Sequence, residues 1–294
     1  MANTLITIGA IARMALANLY ERTIMAQLVT RDYDGDYNGT IGDTVTIRKP
    51  AIFTAAPFVR ATGIVVQDAT ESSTTVVLDT LLDVSFAVTS EQLALSLYDF
   101  NTQLIIPAVE ALAQSVDKSL LAVAVGAGVT QNVNTNSGAG VANDPRTLLK
   151  AAKILNDAHV PHDGRIGIVT TNQAADFLSD NLFVQYLQRG DTRGLIDASL
   201  DRKFGFDLFQ TANFAGGNKK GVVFHPSGIA MVSRTLMPPA GLPATASAVA
   251  ERDGFGLRVA RAYDVTKKQD IVSLDCLVGF KILDANRMVK LTEQ

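Results

Sequence analysis

The sequence predicts an α+β fold, on three observations. Val109, Leu112, Val116 and Leu120 form one apolar stripe at helical spacing, the mark of a long half-buried helix. Before and after it, short segments alternate apolar and polar residues with the period of two that strands require. Between residues 143 and 248, helical and strand-like segments alternate, as in an α/β unit.

Taken in order, residues 3–29 read as a helix, because Leu5, Ile8, Ala12, Leu16, Leu19 and Met25 recur near helical spacing. Gly9 weakens it locally. The run Asp32-Tyr33-Asp34-Gly35-Asp36-Tyr37-Asn38-Gly39 then reads as a loop. Thr44 to Arg48 is a strand with Val45 and Ile47 on one face. The stretch from Pro50 to Ser73 has no helical face and only weak periodicity, and an excursion of that length is usually functional or extended. A strand pair is predicted next, Thr74 to Asp79 and Asp83 to Thr89, with Val84, Phe86 and Val88 on one side.

Thr89 and Gln92 have the spacing of a capping box, which predicts a first helix to about Leu97. The long helix follows from Pro107, well suited to a first turn, to about Val125, with Glu110, Gln114, Asp117 and Lys118 expected on the side away from the stripe. Gly126 to Asn143 reads as a loop or subdomain boundary. Asp144 and Pro145 open a helix, Ile166 to Val169 is a buried strand, and Asn172 to Ser179 is a helix. Phe206 to Phe209 and Val222 to Phe224 are strands, and Ser227 to Ser233 is expected to be helical. Pro238, Pro239, Gly241 and Pro243 close this section. The chain ends in three predicted strands, Gly256 to Tyr263, Asp270 to Val278 and Phe280 to Leu283.

Composition narrows the function. The 294 residues can bury a large core, and 47% hydrophobic against 19% charged residues leans toward extra surface buried on neighbours. Net charge is −3 with no basic stripe, so a strong grip on nucleic-acid phosphates is not encoded. The single cysteine, Cys276, sits in an apolar strand and reads as a buried small hydrophobe, which suits a reducing compartment. No run approaches the roughly 18 apolar residues of a membrane helix. Ala15-Leu16-Ala17 imitates a signal-peptidase site, but Arg13 interrupts the apolar stretch and no basic residue precedes it.

Three patterns could carry chemistry, and each has a plainer reading. Asp32, Asp34, Asp36 and Asp43 fall where an EF-hand loop places ligands, but Tyr37 replaces the required glycine and aspartate replaces the bidentate glutamate, so a solvated hinge is expected. His159 and His162 lie beside Asp157 and Asp163, but Pro161 between them prevents a shared helix face, so they read as a helix-end loop. Gly138-Ala139-Gly140 lacks the third glycine of a dinucleotide loop, with Asn143 in its place. There is no phosphate-binding Gly-rich loop ending in Gly-Lys and no nucleophile elbow. No enzyme, cofactor or metal is expected. An N-terminal arm and a long excursion beside a compact body look instead for partner chains, since neither can bury its apolar face alone.

The order of these parts resembles the HK97-type major capsid proteins of tailed bacteriophages. Gly42-Asp43-Thr44-Val45-Thr46-Ile47-Arg48-Lys49-Pro50 resembles the branch typified by the coat protein of a short-tailed Salmonella phage. So do Ala260-Arg261-Ala262-Tyr263-Asp264 through Asp275 and Gly279-Phe280-Lys281-Ile282. Val160-Pro161 with Gly164-Arg165-Ile166-Gly167-Ile168-Val169 looks like the entry to the first A-domain strand, and Phe224-His225-Pro226-Ser227-Gly228-Ile229-Ala230 like a late strand-to-helix turn. The chain is too short and continuous for that coat protein's inserted domain.

The resemblance implies an N-arm (1–43), an E-loop with flanking strands (44–90), a P-domain spine helix (91–142), an A-domain (143–248) and returning strands (249–294). It implies self-assembly into pentamers and hexamers of an icosahedral head around DNA, with scaffolding protein and portal as partners, assembly in the host cytoplasm, and a place in the virion. Its candidate intersubunit contacts are Phe53, Phe58, Arg60, Arg48 and Lys49. Some relatives join an E-loop lysine to a neighbour's asparagine. Lys49 is the only lysine near the excursion and sits at its base, so the cross-link is not carried over. Two other readings stay open: an encapsulin-type nanocompartment shell, and a small-molecule enzyme built on the α/β section.

Overall fold

The structure is a computed structural model. It describes residues 15, 23–31, 42–49, 51–89 (except 52, 56, 59, 62, 65 and 70), 104–134, 144, 146–180, 200–214, 220–237, 246–252 and 255–292. Its organising element is helix α2, Ile106–Ala124, with a short helix α1, Met25–Leu28, packed across it. Val109, Leu112, Val116 and Leu120 are all fully buried, as their spacing predicts.

Two sheets share that helix. The first is antiparallel: β10 (Ser247–Arg252), β11 (Phe255–Asp264), β12 (Gln269–Ile282) and β3 (Thr80–Thr89) lie in that order, and β9 (Ile229–Arg234) pairs with the far end of β12. The second is mixed and six-stranded, in the order β4 (Asn132–Asn134), β13 (Met288–Thr292), β8 (Lys220–Phe224), β5 (Ile166–Thr170), β7 (Phe206–Thr211), β6 (Arg202–Lys203). Period-two alternation divides its side chains. Ile166, Ile168, Val222 and Phe224 join the core of α2 and the first sheet. Val169, Val223 and Val289 face the other way, onto helices α3 (Thr147–Asp157) and α4 (Thr171–Ser179), where Leu148, Leu155 and Phe177 close a second core. Helix α4 starts cleanly because the Thr170 hydroxyl accepts the Gln173 N–H, a standard N-cap.

A third, smaller sheet roots the excursion. β1 (Thr44–Lys49) and β2 (Ser72–Val77) pair over six residues, from Thr44 opposite Val77 to Lys49 opposite Ser72. Ile47, Val76 and Leu78 plug this root into the body against Val232 and Leu277. Among the described residues no helix is long and apolar enough to cross a membrane.

Several expectations are corrected. Thr74 to Asp79 and Asp83 to Thr89 do not pair with each other: β2 folds back on β1, and β3 pairs with β12 over ten residues, from Gln269 opposite Thr89 to Val278 opposite Thr80. Ser227 to Ser233 is not a helix. Pro226–Gly228 makes one 3₁₀ turn and the apolar run from Ile229 becomes β9, because a short run buried on both faces fits a strand as well as a helix. Asp117 is not on the solvent side of α2; it is 1% exposed. A strand, β4, sits inside the segment read as loop, and β10 and β13 were not foreseen. Helix α3 begins at Thr147, after a turn in which the Asp144 carboxylate accepts the Arg146 N–H at 2.8 Å. The helix expected to Leu97, most of the N-terminal helix, Asp32, Asp34, Asp36 and the Gly138–Gly140 run lie outside the described residues.

The segments expected as Asp270 to Val278 and Phe280 to Leu283 merge into one strand, Gln269–Ile282, with Gly279 inside it and Leu283 beyond its end. The glycine is needed for a close approach: a Cβ there would meet the Val77 carbonyl oxygen at 2.2 Å. Gly279→Ala should therefore push the excursion's root away from β12 and cost about 1–3 kcal/mol, as overpacking does. Chemical denaturation of the variant checks this, and an unchanged midpoint would show that the root shifts freely.

Candidate intersubunit surface

Most described residues of the excursion between β1 and β2 are exposed. Phe53 is 63% exposed, Phe58 67%, Ile64 86% and Val66 87%. An isolated subunit leaves these four large apolar side chains in water, at roughly 25 cal/mol per Å² of apolar area. The two limbs hold each other through Gln67. Its side-chain oxygen accepts the Thr54 N–H at 3.0 Å, and its amide nitrogen donates to the Thr54 carbonyl. This side chain imitates a rung of a sheet where the ladder has ended. Gly63, with φ +74°, allows the backbone to turn at the tip, a conformation other residues take only with strain.

The predicted contact residues fall in two places. Phe53, Phe58 and Arg60 are on the excursion and exposed. Arg48 is exposed on β1, and half-buried Lys49 stands at the strand's end. Lys49 lines an open groove of about 630 Å³ with Thr74, Val123, Phe280, Lys281 and Ile282, where the excursion's root meets the end of α2. Ile64 and Val66 were missed as contact candidates. Their signal was a run of apolar residues after Gly63 with no buried partner in the local pattern.

The residues weighed for chemistry are scattered. His159 and His162 are both exposed; His159 takes the left-handed turn that ends α3, at φ +55°, and its Nδ1 lies 3.0 Å from the Asp157 carbonyl. Asp43 accepts the Thr44 N–H and its carbonyl accepts from Leu78, both local fastenings of the root. Cys276 is buried, and burial first, then the nearby Asp275 charge, pushes its thiol up to about 12, so it stays an un-ionised core residue. Among the described residues no three His, Cys, Asp or Glu side chains gather as a metal site.

The outer face of the first sheet is polar and internally paired. Arg258 clasps Asp275 across β11 and β12, with Nη2 to Oδ2 at 2.7 Å and Nε to Oδ1 at 2.9 Å, and also donates to the Met237 carbonyl. Such a two-pronged pair fixes register as well as adding energy. Arg261 pairs with Asp270 further along the two strands, on the opposite face by the period-two register.

No family model and no curated protein matches the chain. Solved structures do. A chain from Mycobacterium phage Che8 superimposes with a TM-score of 0.67 at 19% identity, over 92% of this chain and 91% of that one. The capsid of the cyanophage P-SCSP1u gives 0.67 at 12% identity, over 92% and 88%. A virus-like particle from Pyrococcus furiosus gives 0.57 at 13% identity, over 96% and 97%. With two sheets sharing one long helix and a rooted excursion, over nearly the whole length of these distant structures, the chain has the HK97-like fold of phage capsid proteins.

Proposed function

We propose that the chain is a major capsid protein, a structural subunit that assembles with copies of itself into a closed shell around phage DNA. The observation that carries this reading is the excursion: a rooted, two-limbed segment whose Phe53, Phe58, Ile64 and Val66 are mostly exposed on a body of HK97-like fold. Surface of that kind is stable when a neighbour covers it. Copies arranged around symmetry axes, as pentamers and hexamers, bring each excursion to the same place on the next subunit. Each contact can be modest, because a subunit held at several edges is ordered once.

In this reading α2 and the first sheet are the rigid P-domain, the six-stranded sheet with α3 and α4 is the A-domain, and residues 44–90 are the E-loop with its strands. Phe53 and Phe58 are the apolar anchors; Arg60, Arg48 and Lys49 flank them. Scaffolding protein and portal are the expected partners, the virion is the destination, and no catalytic step or cofactor is involved. The net charge of −3 suits a shell that must not bind its packaged genome tightly. The branch is that of the short-tailed Salmonella phage coat protein without its inserted domain, a placement that rests on the sequence segments alone.

The likeness to a virus-like particle favours one second reading, a nanocompartment shell with protein cargo. Purified particles rich in nucleic acid support the first reading; particles holding only protein support the second.

Phe53→Ser with Phe58→Ser tests the anchors. The pair should leave the dissociated subunit's thermal unfolding within about 0.5 kcal/mol of the parent, as exposed substitutions do. Shell yield by sedimentation should fall sharply. Normal shells from the double variant would remove these residues from the interface.

A further inference from the structure

The N-terminal strap, residues 23–31, is fastened to the body at two points far away in sequence. One is the edge of β9. The Thr30 N–H donates to the Ile229 carbonyl at 3.3 Å, the Met231 N–H donates to the Thr30 carbonyl at 3.0 Å, and the Thr30 hydroxyl donates to the Pro226 carbonyl at 2.9 Å. The other is Asp117, midway along α2. Its Oδ2 accepts the Ile24 N–H at 3.0 Å, across 93 residues of chain. Between these points Met25 and Ala26 are buried in the core beside α2.

Helix α1 has four residues and no side-chain cap of its own at Ile24. A helix that short does not persist alone, and its first amides need acceptors. The Asp117 side chain supplies an acceptor for the first of them from another element. The amides of Met25 and Ala26 and the Asn213 side chain also lower its energy when ionised. Yet Oδ1 is buried without a hydrogen bond. Among the described residues, none of the groups acting on the carboxyl, from the strap, from α2 or from the Asn213 loop, is a charged side chain.

We propose that residues 23–31 are a latch, seated on the body by Asp117 and released when that carboxylate is ionised and regains water. Seating covers the carboxylate and release uncovers it. Burial is the largest influence and raises the seated carboxyl above the ordinary aspartate value of 3.8, against the four hydrogen-bonding groups. The sign follows from linkage. The seated form holds the proton more tightly than the released form, whose carboxyl titrates as an ordinary aspartate. Seating is therefore favoured as pH falls, is at its fullest below the ordinary value, and weakens as pH rises through the raised one. With one proton involved, the seated-to-released ratio changes by at most about tenfold per pH unit inside that window. The inference does not depend on shell assembly; it concerns how one subunit holds or frees its own arm.

The test is hydrogen exchange of the whole chain, followed in the peptide covering residues 23–31 from pH 8 down to below the ordinary aspartate value of 3.8 and corrected for intrinsic exchange. Protection should rise toward the acid end in the parent while β12 stays constant. Asp117→Asn, a neutral isostere, should remove the pH dependence, and Asp117→Ala should lose strap protection at both ends of the range. Protection that is flat or falls on acidification in the parent, the same slope in Asp117→Asn, or a strap equally protected in Asp117→Ala would each overturn the proposal.

Discussion

Leu112→Asp is expected to give insoluble protein. Leu112 is fully buried in the core that α2 shares with both sheets. The substitution removes an apolar side chain worth about 1.5–3 kcal/mol of burial. It also places a carboxylate where α2 meets apolar packing, without the amides that Asp117 finds at the strap. An unpaired buried charge adds several kcal/mol, so the total is roughly 3 kcal/mol or more, a large part of a typical domain's stability. Lys118→Asp on the exposed side of the same helix is the control and should change stability by no more than about 0.5 kcal/mol. Soluble yield and chemical denaturation of the two variants read the difference. Normal yield from Leu112→Asp would mean that both sheets can part from the helix at this level.

Deleting residues 61–65, at the excursion's tip, is expected to separate folding from assembly. The described residues there touch little of their own subunit, and the Gln67–Thr54 bridge below the tip is retained. Closure entropy varies only logarithmically with loop length, so shortening the loop should leave the dissociated subunit nearly as stable as the parent. Shell formation should nevertheless fail or give fragile particles, because the lost contacts are those made to a neighbour. Thermal unfolding of the subunit beside particle yield by sedimentation makes the comparison. A variant that assembles normally would sink the E-loop assignment; one that unfolds early would show that the tip serves its own subunit.

What could be read in advance follows from where the information lies. The stripe Val109, Leu112, Val116 and Leu120 was legible because one helix face carries a local period. β1 was legible by alternation, with Ile47 inward and Thr46 and Arg48 outward. The excursion was legible from the lack of either period, and its exposed phenylalanines from that lack together with the resemblance. Pairing was not legible. β2 and β3 follow each other in sequence but join different sheets, and their partners lie on the far side of the excursion and at the end of the chain. Gly279 looks like a break in a strand until the Val77 carbonyl is seen beside it. Asp117 reads as solvent-facing because charges usually are; the Ile24 amide it serves is 93 residues away. The run from Ile229 reads as a helix in the sequence because a short apolar segment has no distinguishing period.

Self-assembly of this chain is most directly tested by electron microscopy of the purified full-length protein, prepared alone and with a scaffolding partner, over a range of concentrations. Closed shells of uniform size, or free pentamers and hexamers that close when the scaffold is present, are the predicted result. A single monomeric species at every concentration, with and without the scaffold, would contradict it.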